Sequence, residues 1–217
     1  MEQSKLMKDK DTIILRCYNG EMRAREEEDK GVIEGYAIVY DSMTDLGYFN
    51  EIIEAGALEK TNLKDVRLLV NHNTDMIPLA RSRNNNENST MHLIVDKKGL
   101  FVRIKLDIEN NSDARNLYSA IKRGDITGMS FMFTIDREEW EELDSEHPTR
   151  RIKSIGQVFE VSAVTFPAYE STEINARDKA ALDSAKLTLE SVRSQSLESD
   201  NAAALELEKA KLLTQFI

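Results

Sequence analysis

At 217 residues the chain accommodates one domain of ordinary size with an appendage, or two small domains. Its 41% apolar and 31% charged composition is that of a globular protein with a charge-rich surface. A formal charge of −10 argues against nucleic-acid binding by phosphate neutralisation and against a polybasic membrane contact. The lone cysteine, Cys17, excludes an internal disulfide and any multi-cysteine zinc site. No apolar run approaches the roughly 18 residues of a membrane span. The charged start, Met1 to Lys10, lacks the apolar stretch of a secretory signal. These features predict a chain that works in a reducing cytoplasm or in a compartment assembled there.

In chain order, residues 1–11 are polar and predicted to be a flexible N-terminus. Thr12 to Tyr18 and Val32 to Tyr40 are β-branched and aromatic, the pattern of strands. Gly47 to Ile53 predicts another short strand, Ala55 to Leu63 a brief helix, and Val66 to Val70 a strand that ends at His72. After Pro78 to Arg83 and an Asn-rich turn, Met91 to Val95 and Leu100 to Asp107 form a predicted hairpin across Asp96-Lys97-Lys98-Gly99. Asn111 or Ser112 then caps a helix that turns Ala114, Leu117, Tyr118 and Ile121 inward and stops at Gly124. An apolar strand around Ser130 follows. Asp136 to Arg150 is a hydrophilic excursion, and Ile152 to Phe166 returns as two strands about Gly156-Gln157. Residues 178–217 contain no glycine or proline and are rich in Ala, Leu, Glu, Lys and Ser, which predicts a helical or disordered tail with a patchy apolar stripe through Leu182, Leu189 and Val192.

Three polar residues stand at odd positions in apolar segments. Ser130 lies in Gly128-Met129-Ser130-Phe131-Met132-Phe133, His72 closes Val66 to Val70, and Glu160 sits between Phe159 and Val161. An unpaired buried hydroxyl costs roughly 1–3 kcal/mol, and an unpaired buried carboxylate tends to neutralise. Each residue has an ordinary explanation by itself: strand-end histidines are commonly structural, and small hydroxyls fit tight strand packing. Together they are also the material of a nucleophilic triad, in which histidine takes the serine proton and a carboxylate fixes the histidine tautomer. His92 is predicted on a solvent-facing strand position and His147 in a charged loop. The sequence has no H-E-x-x-H, Walker loop, G-x-G-x-x-G or G-x-S-x-G, and its histidines are too dispersed for a metal site. No cofactor or metal is expected. The acidic pairs flanking Trp140 fit a solvated loop face.

Four ordered blocks resemble the prohead (procapsid) maturation proteases of tailed bacteriophages, serine peptidases related to the herpesvirus assemblins. They are Gly35-Tyr36-Ala37-Ile38-Val39-Tyr40 with Phe49-Asn50-Glu51 and Ala55-Gly56-Ala57-Leu58; Val66 to Asn73 with Pro78-Leu79-Ala80-Arg81; Ile121 to Phe133; and Phe159 to Tyr169. Ala55 and Leu58 depart mildly from the family pattern. The resemblance covers about residues 12–177, the predicted protease domain, and implies an α+β fold: a compact, mainly antiparallel, herpesvirus-protease-like β-barrel surrounded by helices. It further implies Ser130 as nucleophile, His72 as general base and Glu160 as orienting acid where the herpesvirus relatives use a second histidine. No arginine pair matches the assemblins' oxyanion device, since Arg177 lies 17 residues beyond Glu160. Backbone N–H groups near Ser130, made approachable by Gly128, are expected to serve instead.

The resemblance also implies the substrates, which are scaffold and/or the N-terminal scaffolding segment of the major capsid protein, together with the protease itself. The implied location is the procapsid interior in the host cytoplasm. A homodimer stays open by analogy with the assemblins, and so does the tail, which either docks on scaffold helices or is removed by self-cleavage. The rival readings are a catalytically inactive capsid-assembly component of the same fold and an esterase-like hydrolase of small molecules.

Overall fold

Apolar strands with one polar face set the architecture. The computed structural model describes residues 13–18, 22–25, 31–165, 182–198 and residue 202. Eleven strands and a helix appear in the order β1 (Ile14–Tyr18), β2 (Arg23–Ala24), β3 (Val32–Val39), β4 (Met43–Asp45), β5 (Asn50–Ile53), β6 (Arg67–Val70), β7 (Ala80–Arg81), β8 (Met91–Val95), β9 (Gly99–Lys105), α1 (Ser112–Arg123), β10 (Gly128–Glu141) and β11 (Thr149–Val164). A second helix, α2, covers 182–198.

Seven strands form one sheet. Its path runs β1-β10-β11-β5-β4, while β6 pairs with the other end of β11 and carries β7. The smaller sheet has the order β2-β3-β9-β8. The main core lies between them. Met129, Phe131, Phe133, Val161 and Ala163 of the large sheet join Ile33, Ala37, Leu100, Val102 and Ile104 of the small one, with Ala114, Leu117 and Ile121 of α1. Full burial of such side chains contributes about 1.5–3 kcal/mol each. The predicted helix is present with its predicted ends: the Asn111 side chain accepts from the N–H groups of Asp113 and Ala114, and Gly124 closes the helix at φ 80°. The β8–β9 hairpin also stands where expected. Gly99 begins β9 so close to β3 that a Cβ there would lie 1.9 Å from the Ile38 carbonyl oxygen.

The α+β class therefore holds, but the sheets do not close into a barrel. Strand β3 spends its two edges on β2 and β9, and no ladder among the described residues joins it to β1 or β10. The large sheet is also mixed, because β11 takes β5 and β6 as parallel partners at opposite ends.

Three element predictions need correction. Residues 55–60 form consecutive turns, not a helix, with Gly56 at φ 90° breaking any helical run. Asp136 to Arg150 is not an excursion, since β10 runs on to Glu141 and β11 begins at Thr149. Opposite charges facing across this hairpin sustain it: Arg150 on Glu138, Arg151 on Glu141 at 2.6 Å and Lys153 on Glu139 at 3.1 Å. Ile152 to Val164 is one bulged strand rather than two.

Helix α2 lies against the domain. Leu182 and Ala185 are buried on Phe49 and Trp140, whose rings meet edge-on at 5.0 Å. Arg193 donates to the carbonyls of Leu143 and Ser145. Most of 199–217, residues 1–11 and Arg177 fall outside the described residues, so the flexible N-terminus and the remainder of the predicted tail do as well.

Candidate active site

The site is built on one face of the large sheet. Along β10 the side chains alternate, so Met129, Phe131 and Phe133 enter the core and Ser130 and Met132 face the other way. Ser130 pairs directly with Ser162 of β11, and Met132 with Glu160. Strict alternation would then put Val158 on the same face as Glu160. A bulge prevents this: Phe133 pairs with Val158, leaving Phe159 as the extra residue. Val158 returns to the core while Glu160 and Ser162 stay together outside it.

His72 reaches the same place from a turn. Strand β6 runs parallel beside β11 with Leu69 in register with Ser162, and then reverses through Val70-Asn71-His72-Asn73. Asn71 and His72 have φ of 50° and 54°, and the Asn73 N–H donates to the Val70 carbonyl at 3.1 Å, the pattern of a type I′ turn. The turn is held from both sides. The Asn71 side chain donates to Thr165 Oγ1 at 3.0 Å and accepts from the Thr165 N–H at 2.9 Å. The His72 N–H donates to Ser162 Oγ at 3.1 Å.

The structure thus brings Ser130, His72 and Glu160 together, although they are dispersed over 89 positions of the sequence, 72 to 160. His72 Nε2 lies 2.5 Å from Ser130 Oγ and Nδ1 lies 2.5 Å from Glu160 Oε1. The second carboxylate oxygen accepts from Ser162 Oγ at 2.6 Å. Ser130 and Ser162 are fully buried, Glu160 is 3% exposed, and the His72 side chain is 11% exposed. A carboxylate beside Nδ1 places the ring proton there and leaves Nε2 to accept. The Ser130 hydroxyl proton has a second acceptor within reach, the Arg16 carbonyl of β1 at 2.8 Å.

Strand β1 is pinned beside the serine by charge. The Arg16 guanidinium binds both oxygens of buried Glu51, which also receives Arg150 at 3.3 Å. Burial pushes the Glu51 carboxyl up, and the two guanidinium groups more than reverse this, leaving it below the usual carboxylate range.

The other two histidines stand apart from the site. His92 is exposed on β8, and His147 Nε2 sits 3.0 Å from Asp45 Oδ1 in the loop before β11. An open groove of about 410 Å³ lies at the far end of the β10–β11 hairpin, between residues 143–146 and Arg193 and Leu197 of α2, and holds none of the three. No group of three His, Cys, Asp or Glu among the described residues could hold a metal ion, and no described helix is long and apolar enough to cross a membrane. Sequence reasoning missed Ser162. Its only signal was a hydroxyl two residues after Glu160, on the same strand face.

A serine whose hydroxyl meets a histidine, itself backed by a carboxylate, is the side-chain order of a serine hydrolase. The comparisons with known proteins narrow that class. Residues 19–186 match the caudovirus prohead serine protease family. The chain is also 31% identical over 160 residues to the prohead protease of Enterobacteria phage HK97, covering 72% of this chain and 64% of that relative. The chain belongs to the caudovirus prohead serine protease family. No solved structure matches it.

Proposed function

We propose that the chain is an active serine endopeptidase of capsid maturation, acting inside the procapsid in the host cytoplasm. Its substrates are scaffold, the N-terminal scaffolding segment of the major capsid protein, and copies of itself. One observation carries the chemistry: a single imidazole spans Ser130 and Glu160 at 2.5 Å on each side.

Ser130 Oγ attacks the scissile carbonyl while its proton passes to His72 Nε2. The imidazolium is stabilised through Nδ1–H by Glu160, then gives its proton to the leaving amine. Water repeats the sequence on the acyl-enzyme and frees Ser130. Backbone N–H groups near Gly128, at the start of β10, are assigned to the oxyanion. The family supports the substrate class, since a prohead protease is defined by the shell it processes.

The test is covalent labelling of the full chain with an organofluorophosphonate, read by peptide mass. The expected adduct is on Ser130 in the wild type and is lost in His72→Ala. An unmodified Ser130, with folding intact, favours the inactive assembly component.

A further inference from the structure

Ser162 does more at the site than fill a strand position. Its oxygen lies on two bonds at once, donating its proton to Glu160 Oε2 at 2.6 Å and accepting the His72 N–H at 3.1 Å. It is fully buried and directly opposite Ser130 across the β10–β11 ladder. Glu160 and Ser162 are two residues apart on one strand, so the pleat points both the same way. The result is a closed ring. His72 Nδ1 meets one carboxylate oxygen, Ser162 holds the other, and the same hydroxyl holds the backbone from which the imidazole hangs.

We infer that Ser162 is a positioning residue of the relay, one that fixes the rotation of the Glu160 carboxylate and the left-handed turn of His72 with a single hydroxyl. This rests on the triad reading above. A carboxylate with one bonded oxygen is free to rotate about its last torsion, which is broad. Ser162 removes that freedom and leaves Oε1 facing Nδ1. The left-handed backbone of His72 is uncommon for a residue other than glycine, and the bond from its N–H to Ser162 helps hold it. A hydroxyl also suits the place electrostatically. It supplies a donor to the carboxylate without adding a charge that would compete with the imidazolium. The residues in register with Glu160 are Met132 on β10 and Arg67 on β6, and the Arg67 guanidinium reaches Asp65 at 3.1 Å.

The test follows the rate of fluorophosphonate labelling against pH in the full chain, for wild type, Ser162→Ala and Ser130→Ala. Losing one hydrogen bond to a charged group corresponds to about 10–100-fold in rate. Ser162→Ala is expected to lower the maximal labelling rate by about that factor with reagent affinity unchanged. It should also move the acidic limb of the profile to higher pH, because a carboxylate that has lost a donor holds the imidazolium proton more tightly. A purely structural serine moves neither the limb nor the ratio of rate to affinity. Wild-type rate and limb in Ser162→Ala overturn the inference while the triad stands. Absence of a wild-type adduct at Ser130 overturns the triad itself. Should the alanine variant not fold, Ser162→Cys, a weaker donor of similar shape, is expected to shift the limb in the same direction by less, and an unshifted limb counts against the inference.

Discussion

Glu160 is a carboxylate at 3% exposure in an apolar strand, and its two oxygens have one partner each: His72 Nδ1 and Ser162 Oγ. Removing its charge while keeping its shape tests the assigned role without emptying the site. Glu160→Gln is expected to keep the fold and lower the labelling and cleavage rates by about 10³–10⁴, because an amide no longer selects the tautomer with Nε2 free to accept. Pre-steady-state kinetics beside a thermal melt checks this, and near-wild-type rates move the orienting role elsewhere. At this scale the sequence was most informative. Ser130, His72 and Glu160 were visible because each is polar where its neighbours are apolar. Ser162 was not visible, because a serine in a strand needs no explanation until its neighbours in space are known.

Among the elements, β1 matters most for access. Ser130 is wholly buried, and β1 lies along β10 with the Arg16 carbonyl 2.8 Å from Ser130 Oγ. Loosening β1 is the expected way to expose Ser130, and the Arg16–Glu51 ion pair resists that movement. Arg16→Gln is expected to speed labelling of Ser130 several-fold, measured as a second-order rate; an equal or slower rate contradicts a covering role. The turn that presents His72 was partly legible. The sequence placed the histidine at a strand end, yet nothing in it showed two consecutive left-handed residues or the Asn71–Thr165 clamp across 94 positions. The β10–β11 hairpin was misread for a reason worth stating. Composition reads Asp136 to Arg150 as a hydrophilic excursion, whereas its Glu138, Glu139 and Glu141 meet Arg150, Lys153 and Arg151 across two paired strands.

For the whole molecule, most strands were legible from alternation and turn chemistry and the α+β class from the family resemblance, but sheet order and closure were not. Whether β3 pairs with β9 or with the nucleophile strand is decided by long-range registers that no local pattern encodes. The buried network around Glu51 ties three distant strands together, joining Arg16 of β1 and Arg150 of β11 to β5. Its folded carboxyl lies below the usual range, so its contribution is present in full above the unfolded value of about 4.3 and is lost as pH falls through the lower folded value. Glu51→Gln removes the carboxylate that the buried Arg16 and Arg150 guanidinium groups share, Arg150 keeping Glu138, and is expected to cost about 3–5 kcal/mol at neutral pH. The gap from wild type should narrow below about pH 4, where the unfolded wild type takes up a proton that the folded carboxylate still refuses. Denaturant titrations at pH 7 and pH 3.5 read both numbers, and an equal gap at the two pH values contradicts the assignment.

The central claim, that Ser130 cuts shell proteins, is tested most directly by expressing the full chain together with its capsid protein and reading the capsid protein's N-terminus by mass. Removal of an N-terminal segment by the wild type and an intact capsid protein with Ser130→Ala are expected. The same N-terminus in both, trimmed or untrimmed, contradicts it.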